Sequence, residues 1–159
     1  MSERTATHAA ARHDASPEHA QALAERVAES MYATDRASRA LGMRIASVAP
    51  GRAEMTMTVR EDMLNGHAIC HGGFIFLLAD STFAFACNSH NRNTVAQGCS
   101  IDYLAPAHLG DVLHAFGAER SRTGRTGVYD IEVRNQHGKT IALFRGKSYR
   151  IDGHVVDDA

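Results

Sequence analysis

Two spacings of hydrophobic residues divide the chain, one at every third or fourth residue and one at every second. The first spacing opens the pattern: Ala20, Leu23, Ala24, Val27 and Met31 form a narrow apolar stripe that runs to about Tyr32. Ser16-Pro17-Glu18 stands before it, a side chain able to cap a helix followed by proline at the first helical position. Asp35 is placed to cap a second short turn that ends near Gly42. From residue 43 to 59 the period drops to two. Ala53, Met55, Met57 and Val59 alternate with Glu54, Thr56 and Thr58, the pattern of a half-buried strand. Pro50-Gly51 marks a turn between two arms, and residues 60–70 form a loop.

Residues 74–87 break both patterns. They are apolar almost everywhere except at Asp80, Ser81 and Thr82, and they contain no proline or glycine. On a helix, Phe74, Leu77, Leu78 and Ser81 share one face, while Ile75, Phe76, Phe83 and Phe85 fall on the others. A helix apolar nearly all round is a buried helix. This one is well short of the roughly 20 residues needed to span a bilayer. It is therefore expected to be a central core helix with something wrapped around it.

Alternation then returns four times. Residues 95–104 put Cys99, Ile101 and Tyr103 on one face; residues 111–120, 128–135 and 140–151 follow. Pro106 and Gly110, the glycine-rich run 122–127 and His137-Gly138 separate them, and Asp152-Gly153 ends the last. Long strands with short connections predict an antiparallel meander. The fold class is α+β: a curved antiparallel sheet around a long central helix, preceded by an N-terminal helix. Residues 1–16 hold no large apolar residue after Met1 and are expected to be a disordered tail. Residues 17–153 make one domain, and 154–159 are a short C-terminal tail.

Charge and cysteine content narrow the class. A length of 159 residues suits one domain, and a net charge of −1 carries no nucleic-acid footprint. No secretory or membrane-spanning run is present in the sequence. Cys70, Cys87 and Cys99 are odd in number and lie in or beside apolar segments, as expected of reduced thiols in a cytoplasmic protein.

Two features of the central helix are chemical. Gly72 and Gly73 stand at its start, where amide N–H groups have no partner inside the helix and the dipole favours negative charge. Asp80 is the only acid in the apolar run. Asp is a poor mid-helix residue, and an unpaired carboxylate in an apolar core costs of the order of several kcal/mol. Either Asp80 is functional or it bonds a neighbour or reaches solvent through a gap; ion-pair networks also hold buried acids. Other chemistries are weaker. His67, Cys70 and His71 suggest zinc, yet they lie in loop and no fourth ligand is evident. Cys70 or Cys87 as nucleophile would need a base and exposure, and small core residues are the simpler reading. Ser81 lacks the glycines of a nucleophile elbow. Gly124 to Gly127 is not a phosphate loop, because no Gly-Lys-Ser/Thr closes it.

Asn65-Gly66-His67-Ala68-Ile69-Cys70-His71-Gly72-Gly73, Leu78-Ala79-Asp80 and Phe85-Ala86-Cys87-Asn88-Ser89 together resemble the hotdog-fold acyl-CoA thioesterases. The match is closest to the PaaI type associated with bacterial phenylacetate degradation. Thr126 to Glu132 and Ala142 to Ser148 resemble that subgroup as well, so the likeness covers residues 31–151. Some relatives outside it carry a serine on the strand after the helix, near where Ala96 stands here.

The resemblance implies a hotdog fold and thioester hydrolysis of (hydroxy)phenylacetyl-CoA or a similar aryl-acyl-CoA, without a cofactor or metal. It implies Asp80 as the catalytic carboxylate, the Gly72 amide as the donor that polarises the carbonyl, Asn65 as the residue that places the nucleophile or water, and His71 beside the carbonyl. Substrate and coenzyme contacts are expected at Gly73, Arg122, Arg125 and Thr126; for the arginines near Arg120 a solvated charged loop is the alternative. A homodimer with shared active sites is expected, paired into a dimer of dimers. Eight residues along one helix separate Gly72 from Asp80 by roughly 12 Å, too far for both to reach one carbonyl, whereas an antiparallel partner helix would supply the second group. The rival functions are a non-catalytic acyl-CoA-binding module, a thioesterase for aliphatic acyl-CoA and a hotdog hydratase.

Overall fold

The structure, a computed structural model, describes residues 16–157. Expectations for residues 1–15, and for 158 and 159, lie outside the described residues. Helix α1 (Pro17–Thr34) begins as its sequence dictates: Ser16 Oγ accepts from His19 N at 3.2 Å, with proline at the first position. Asp35 ends α1 and caps the short α2 (Arg36–Ala40), its carboxylate accepting from Ser38 N at 3.0 Å. Strands β1 (Arg44–Ala49) and β2 (Arg52–Thr58) form a hairpin around Pro50-Gly51. A 3-10 turn (Glu61–Met63) and a loop lead to α3 (Gly72–Asn88). Strands β3 (Thr94–Tyr103), β4 (Val112–Thr123), β5 (Thr126–Arg134) and β6 (Thr140–Arg150) complete the chain.

All strand pairs are antiparallel, but the sheet is not a simple meander. Its order is β1-β2-β4-β5-β6-β3. Strands β4, β5 and β6 do follow one another, whereas β3 lies at the far edge against β6 and β4 pairs with β2. The physical reason is α3. It carries the chain across the sheet from β2 to the opposite edge, and the connection after β3 brings it back. Along that return Cys70 N donates to Ala107 O at 2.8 Å and Gly110 N to Val59 O at 2.9 Å. Alternation tells which face a residue occupies, not which strand lies beside which.

The inner face of the sheet packs on α3. Met55, Met57, Leu113, Ile131 and Phe144 meet Ile75, Leu78, Ala79, Phe83 and Ala86 in one buried cluster. At Gly146 the approach of β6 leaves no room for a side chain: a Cβ there would stand 2.8 Å from the Phe83 ring. On the other side of α3, Ser81 shares a buried hydroxyl contact of 3.0 Å with Ser38 of α2. The end of α3 is tied down by Asn88, whose side-chain amide donates to Ala84 O and Thr94 O and accepts from Thr94 N. Residues 154–157 form no regular element, but Asn91 holds them through the amides of Val155 and Val156.

The helix is not covered all round. Gly73, Phe76, Leu77, Asp80 and Ala84 are not buried, and they follow helical spacing as one stripe along α3. That stripe runs beside β3, an edge strand on which none of the residues is fully buried. Among the described residues no helix is long and apolar enough to cross a membrane.

Candidate active site

The approach to α3 is shaped by a loop that hydrogen-bonds itself. Asn65 Oδ1 accepts from His67 N at 2.9 Å and from Ile69 N at 3.4 Å, and Asn65 N donates to Ile69 O at 2.9 Å. Ala68 sits at φ 56°, and Leu64 pairs with Cys70. The Asn65 carbonyl therefore holds the loop, leaving its NH2 as the end that can meet a ligand. His71 caps α3: its Nδ1 accepts from Gly73 N at 3.0 Å. A neutral His71 that accepts through Nδ1 carries its proton on Nε2, where it can donate.

This arrangement sorts the two glycines. The Gly73 N–H is taken by His71, so it is occupied within the helix start. The Gly72 N–H has no acceptor among the described residues. It is the open donor at the positive end of a 17-residue helix. Tyr103 of β3 fixes this end from outside, its hydroxyl donating to Gly72 O at 2.9 Å.

Asp80 lies on the open stripe, half-buried. Its one side-chain partner among the described residues is Cys99 of β3, whose Sγ stands 3.8 Å from Oδ1. Burial raises the Asp80 carboxyl above the ordinary aspartate range, and the Cys99 hydrogen bond offsets part of that rise. The second oxygen has no partner among the described residues. Gly72 and Asp80 are thus an unfilled donor and an unfilled carboxylate oxygen, spaced roughly 12 Å along one helix axis. They do not converge within one chain.

Arg122, Arg125 and Thr126 lie together at the β4–β5 hairpin, where Thr123 pairs with Thr126 and Gly124 takes φ +60°. The glycine-rich run is a tight strand connection. The tip borders a shallow depression that Arg92 and Arg150 also line, next to Cys87 near the end of α3. Both hairpin arginines already have an acid: Arg122 Nε is 3.4 Å from Glu119 and Arg125 is 3.0 Å from Asp152. The Arg125–Asp152 pair is exposed and weak enough to be exchanged for a phosphate, while Arg122 meets a partly buried acid at the longer distance.

Glu119 was not singled out in the sequence, and it organises this region. Its Oε2 accepts from Tyr129 OH at 2.8 Å and lies 2.9 Å from His90 Nε2. Burial alone would raise its carboxyl; the hydrogen bonds from Tyr129 and His90 and the nearby positive charge outweigh that and lower it. Cys99 and Tyr103 also escaped notice as site residues, although their alternation with Ile101 had placed all three on one face.

The remaining cysteines are poor nucleophiles. Burial pushes the Cys70 thiol up to about 11 and the Cys87 thiol up to about 12. Cys70 is buried and directs its thiol to His71 O at 3.7 Å, away from a common centre with His67. Among the described residues no three His, Cys, Asp or Glu side chains come together as a metal site. A hollow of about 660 Å³ lies on the outer face of the sheet, away from α3. Two of its four acids are engaged, Asp130 by Arg120 and Arg145 and Glu132 by Arg134 and Thr140; Glu54 and Asp102 also line it. Glu54 and Asp102 are exposed, whereas Asp80 on α3 is half-buried with its carboxyl raised and no cationic partner, so the arrangement at α3 is the chemically poised one.

Comparison with known proteins places the chain in a family. Residues 67–142, which include Gly72, Asp80 and Cys99, match the thioesterase superfamily. The chain is 52% identical over 132 residues to acyl-coenzyme A thioesterase PaaI of Escherichia coli strain K12, covering 83% of this chain and 94% of that one. The solved structure of the E. coli PaaI protein from the phenylacetic acid degradation operon superposes with a TM-score of 0.83 at 51% identity, covering 84% of this chain and 97% of that one. A Streptococcus mutans protein solved bound to acetyl-CoA superposes with a TM-score of 0.68 at 28% identity, covering 70% and 90% of the two chains.

Proposed function

The chain belongs to the thioesterase superfamily, and on that premise we propose that it hydrolyses acyl-CoA thioesters, with Asp80 supplying the chemistry and the Gly72 N–H stabilising the oxyanion. The observation that carries this reading is Asp80 itself: a carboxylate kept half-buried on an apolar stripe, with one thiol for company and no cation. A protein that only binds its ligand has no need of so costly a group.

Attack on the thioester carbon moves an electron pair onto the carbonyl oxygen. A preorganised amide at a helix start meets that charge without reorganising, worth about 3 kcal/mol for one donor. Asp80 acts by one of two routes. Its carboxylate attacks directly, the C–S bond breaks with CoA leaving as the thiolate, and water opens the mixed anhydride and releases its proton to the thiolate or to solvent; or it takes a proton from water as that water attacks, the C–S bond breaks and the proton passes to the departing thiolate or to solvent. His71, donating through Nε2, sits beside the same carbonyl, and the Asn65 amide places the nucleophile or water. The hairpin with Arg122, Arg125 and Thr126 receives the phosphates of CoA.

The roughly 12 Å between Gly72 and Asp80 favours a site built by two subunits, each giving its Gly72 to the other's Asp80. The open stripe of α3 and the exposed edge of β3 suit that contact. Phe116 and Leu143, exposed on the outer sheet face, suit a further pairing into a dimer of dimers. The acyl group we infer is an aryl-acetyl or ring-hydroxylated aryl-acetyl chain, because of the likeness to PaaI, and the setting is the cytoplasm.

The test is thiol release over a panel of aromatic and straight-chain acyl-CoA esters with the wild type and Asp80→Asn. The reading expects hydrolysis by the wild type, fastest with phenylacetyl-CoA or its hydroxylated forms, and a loss of orders of magnitude in kcat in Asp80→Asn while substrate still binds. Near-normal turnover by Asp80→Asn would remove Asp80 from the chemistry. A higher kcat/KM for straight chains would overturn the aryl-acetyl assignment.

A further inference from the structure

Strand β3 touches α3 along the helix's whole length, and the contacts run in opposite chain directions. Thr94 meets Asn88, Cys99 meets Asp80, and Tyr103 meets Gly72. The spacings match. From Gly72 to Asp80 the helix rises roughly 12 Å. From Tyr103 to Cys99 an extended strand covers roughly 13 Å. Between Thr94 and Cys99 the strand has one residue more, and the ladder with β6 slips there: Ala96 pairs with Ser148 and Gly98 with Lys147, which leaves Gln97 as the extra residue. Such a bulge re-aims the residues beyond it. Here it turns Cys99 toward the helix, in step with Tyr103.

We propose that Cys99 is a positioning residue for Asp80, its S–H holding Oδ1 so that the other oxygen faces the reacting centre, with Tyr103 on Gly72 setting the strand's register. The proposal rests on the reading of Asp80 as the group that does the chemistry.

Several observations converge on it. Cys99 keeps its proton, because burial and the neighbouring carboxylate both raise its thiol, so it remains a donor at neutral pH. The titratable groups that face Asp80 are the thiols of Cys99 on β3 and Cys87 on its own helix. None of the ion pairs among the described residues includes Asp80. Among the described residues the thiol is therefore the one group that selects between the two carboxylate oxygens and favours the ionised form.

The experiment is a pH titration of the Asp80 carboxyl by carbon-13 NMR in full-length wild type, Cys99→Ala and Cys99→Ser, assigned with Asp80→Asn. Without the donor, Cys99→Ala should titrate higher than the wild type by about half a pH unit, the size a net hydrogen bond gives. Cys99→Ser, whose hydroxyl is the better donor, should titrate at or below the wild type. In steady-state assays Cys99→Ala should lose kcat at unchanged KM, with the acid limb of its pH profile moved up by the same amount, and Cys99→Ser should recover both. Equal titrations in all three proteins, or a loss confined to KM, would overturn the proposal. An active Asp80→Asn enzyme would instead overturn the catalytic reading, and the NMR titration would still decide whether Cys99 holds Asp80.

Discussion

The ring of Tyr103 occupies the space that a side chain at Gly72 would need: a Cβ there would lie 3.0 Å from Cζ, 3.1 Å from the hydroxyl and 3.2 Å from Cε1. The helix start that carries the open amide is thus packed to backbone distance by a residue from the far edge of the sheet. Gly72→Ala should push the two apart and displace the amide, with kcat falling about tenfold to a hundredfold, short of the loss of a whole donor. Tyr103 is half exposed and can yield, so the fold should tolerate the change. Adding Tyr103→Ala should return part of the lost kcat, which steady-state kinetics of the single and double variants would detect.

Asp80 should make both activity and stability depend on pH, in opposite senses. In the proposed chemistry only the ionised carboxylate is reactive, so kcat/KM should fall as pH drops through a value above the ordinary 3.8 of aspartate. For stability, the folded chain holds the Asp80 proton more tightly than the unfolded chain does. Ionisation therefore opposes folding, and the cost grows from the unfolded value upward and is complete above the folded one. Asp80→Asn should melt at a higher temperature than the wild type at pH 7, with the gain gone near pH 3. Melting curves at the two pH values check this.

Glu119 carries the opposite sign. Its carboxyl is lowered in the folded chain, so its stabilisation is present above the ordinary glutamate value of 4.5 and disappears as pH falls through the folded value. Glu119→Ala leaves the buried Tyr129 hydroxyl without its acceptor and should cost about 1–3 kcal/mol at pH 7. Denaturant unfolding should show the gap from the wild type narrowing in acid.

Periodicity and cap residues made the elements legible. Ser16 and Asp35 cap the helices they were expected to cap, and the largely apolar run from Phe74 to Cys87 lies within α3. Within the candidate site, Asp80 stood out by type, as a single acid among apolar residues, and Gly72 by its place at a helix start. The partners of both were illegible for one reason. Cys99 and Tyr103 reach α3 only because β3 lies outside β6, and sheet order depends on how the chain crosses over α3, which alternation does not encode. The Glu119–Arg122 pair lies within β4, across the ladder irregularity between Glu119 and Ser121, and the Asp152–Arg125 pair follows from the register of β6 on β5; alternation encodes neither.

Gly146 tests the packing that holds α3 in place. Gly146→Ala drives a methyl to 2.8 Å from the Phe83 ring, which is fully buried and has nowhere to move. The cost should be about 1–3 kcal/mol, the usual price of overpacking. Combining it with Phe83→Leu should recover part of that loss in thermal unfolding, because the smaller side chain makes room.

In the proposed shared site, one subunit's Gly72 amide works with the other's Asp80. Mixing Asp80→Ala with Gly72→Pro subunits tests this, since each variant lacks one of the two groups in every site, and their heterodimer joins an intact Gly72 to an intact Asp80 in one of its two sites. After subunit exchange verified by native mass spectrometry, thiol release should reappear and rise with the heterodimer fraction, with at most one working site per pair. Verified heterodimers that stay as inactive as the parent variants would contradict the shared site.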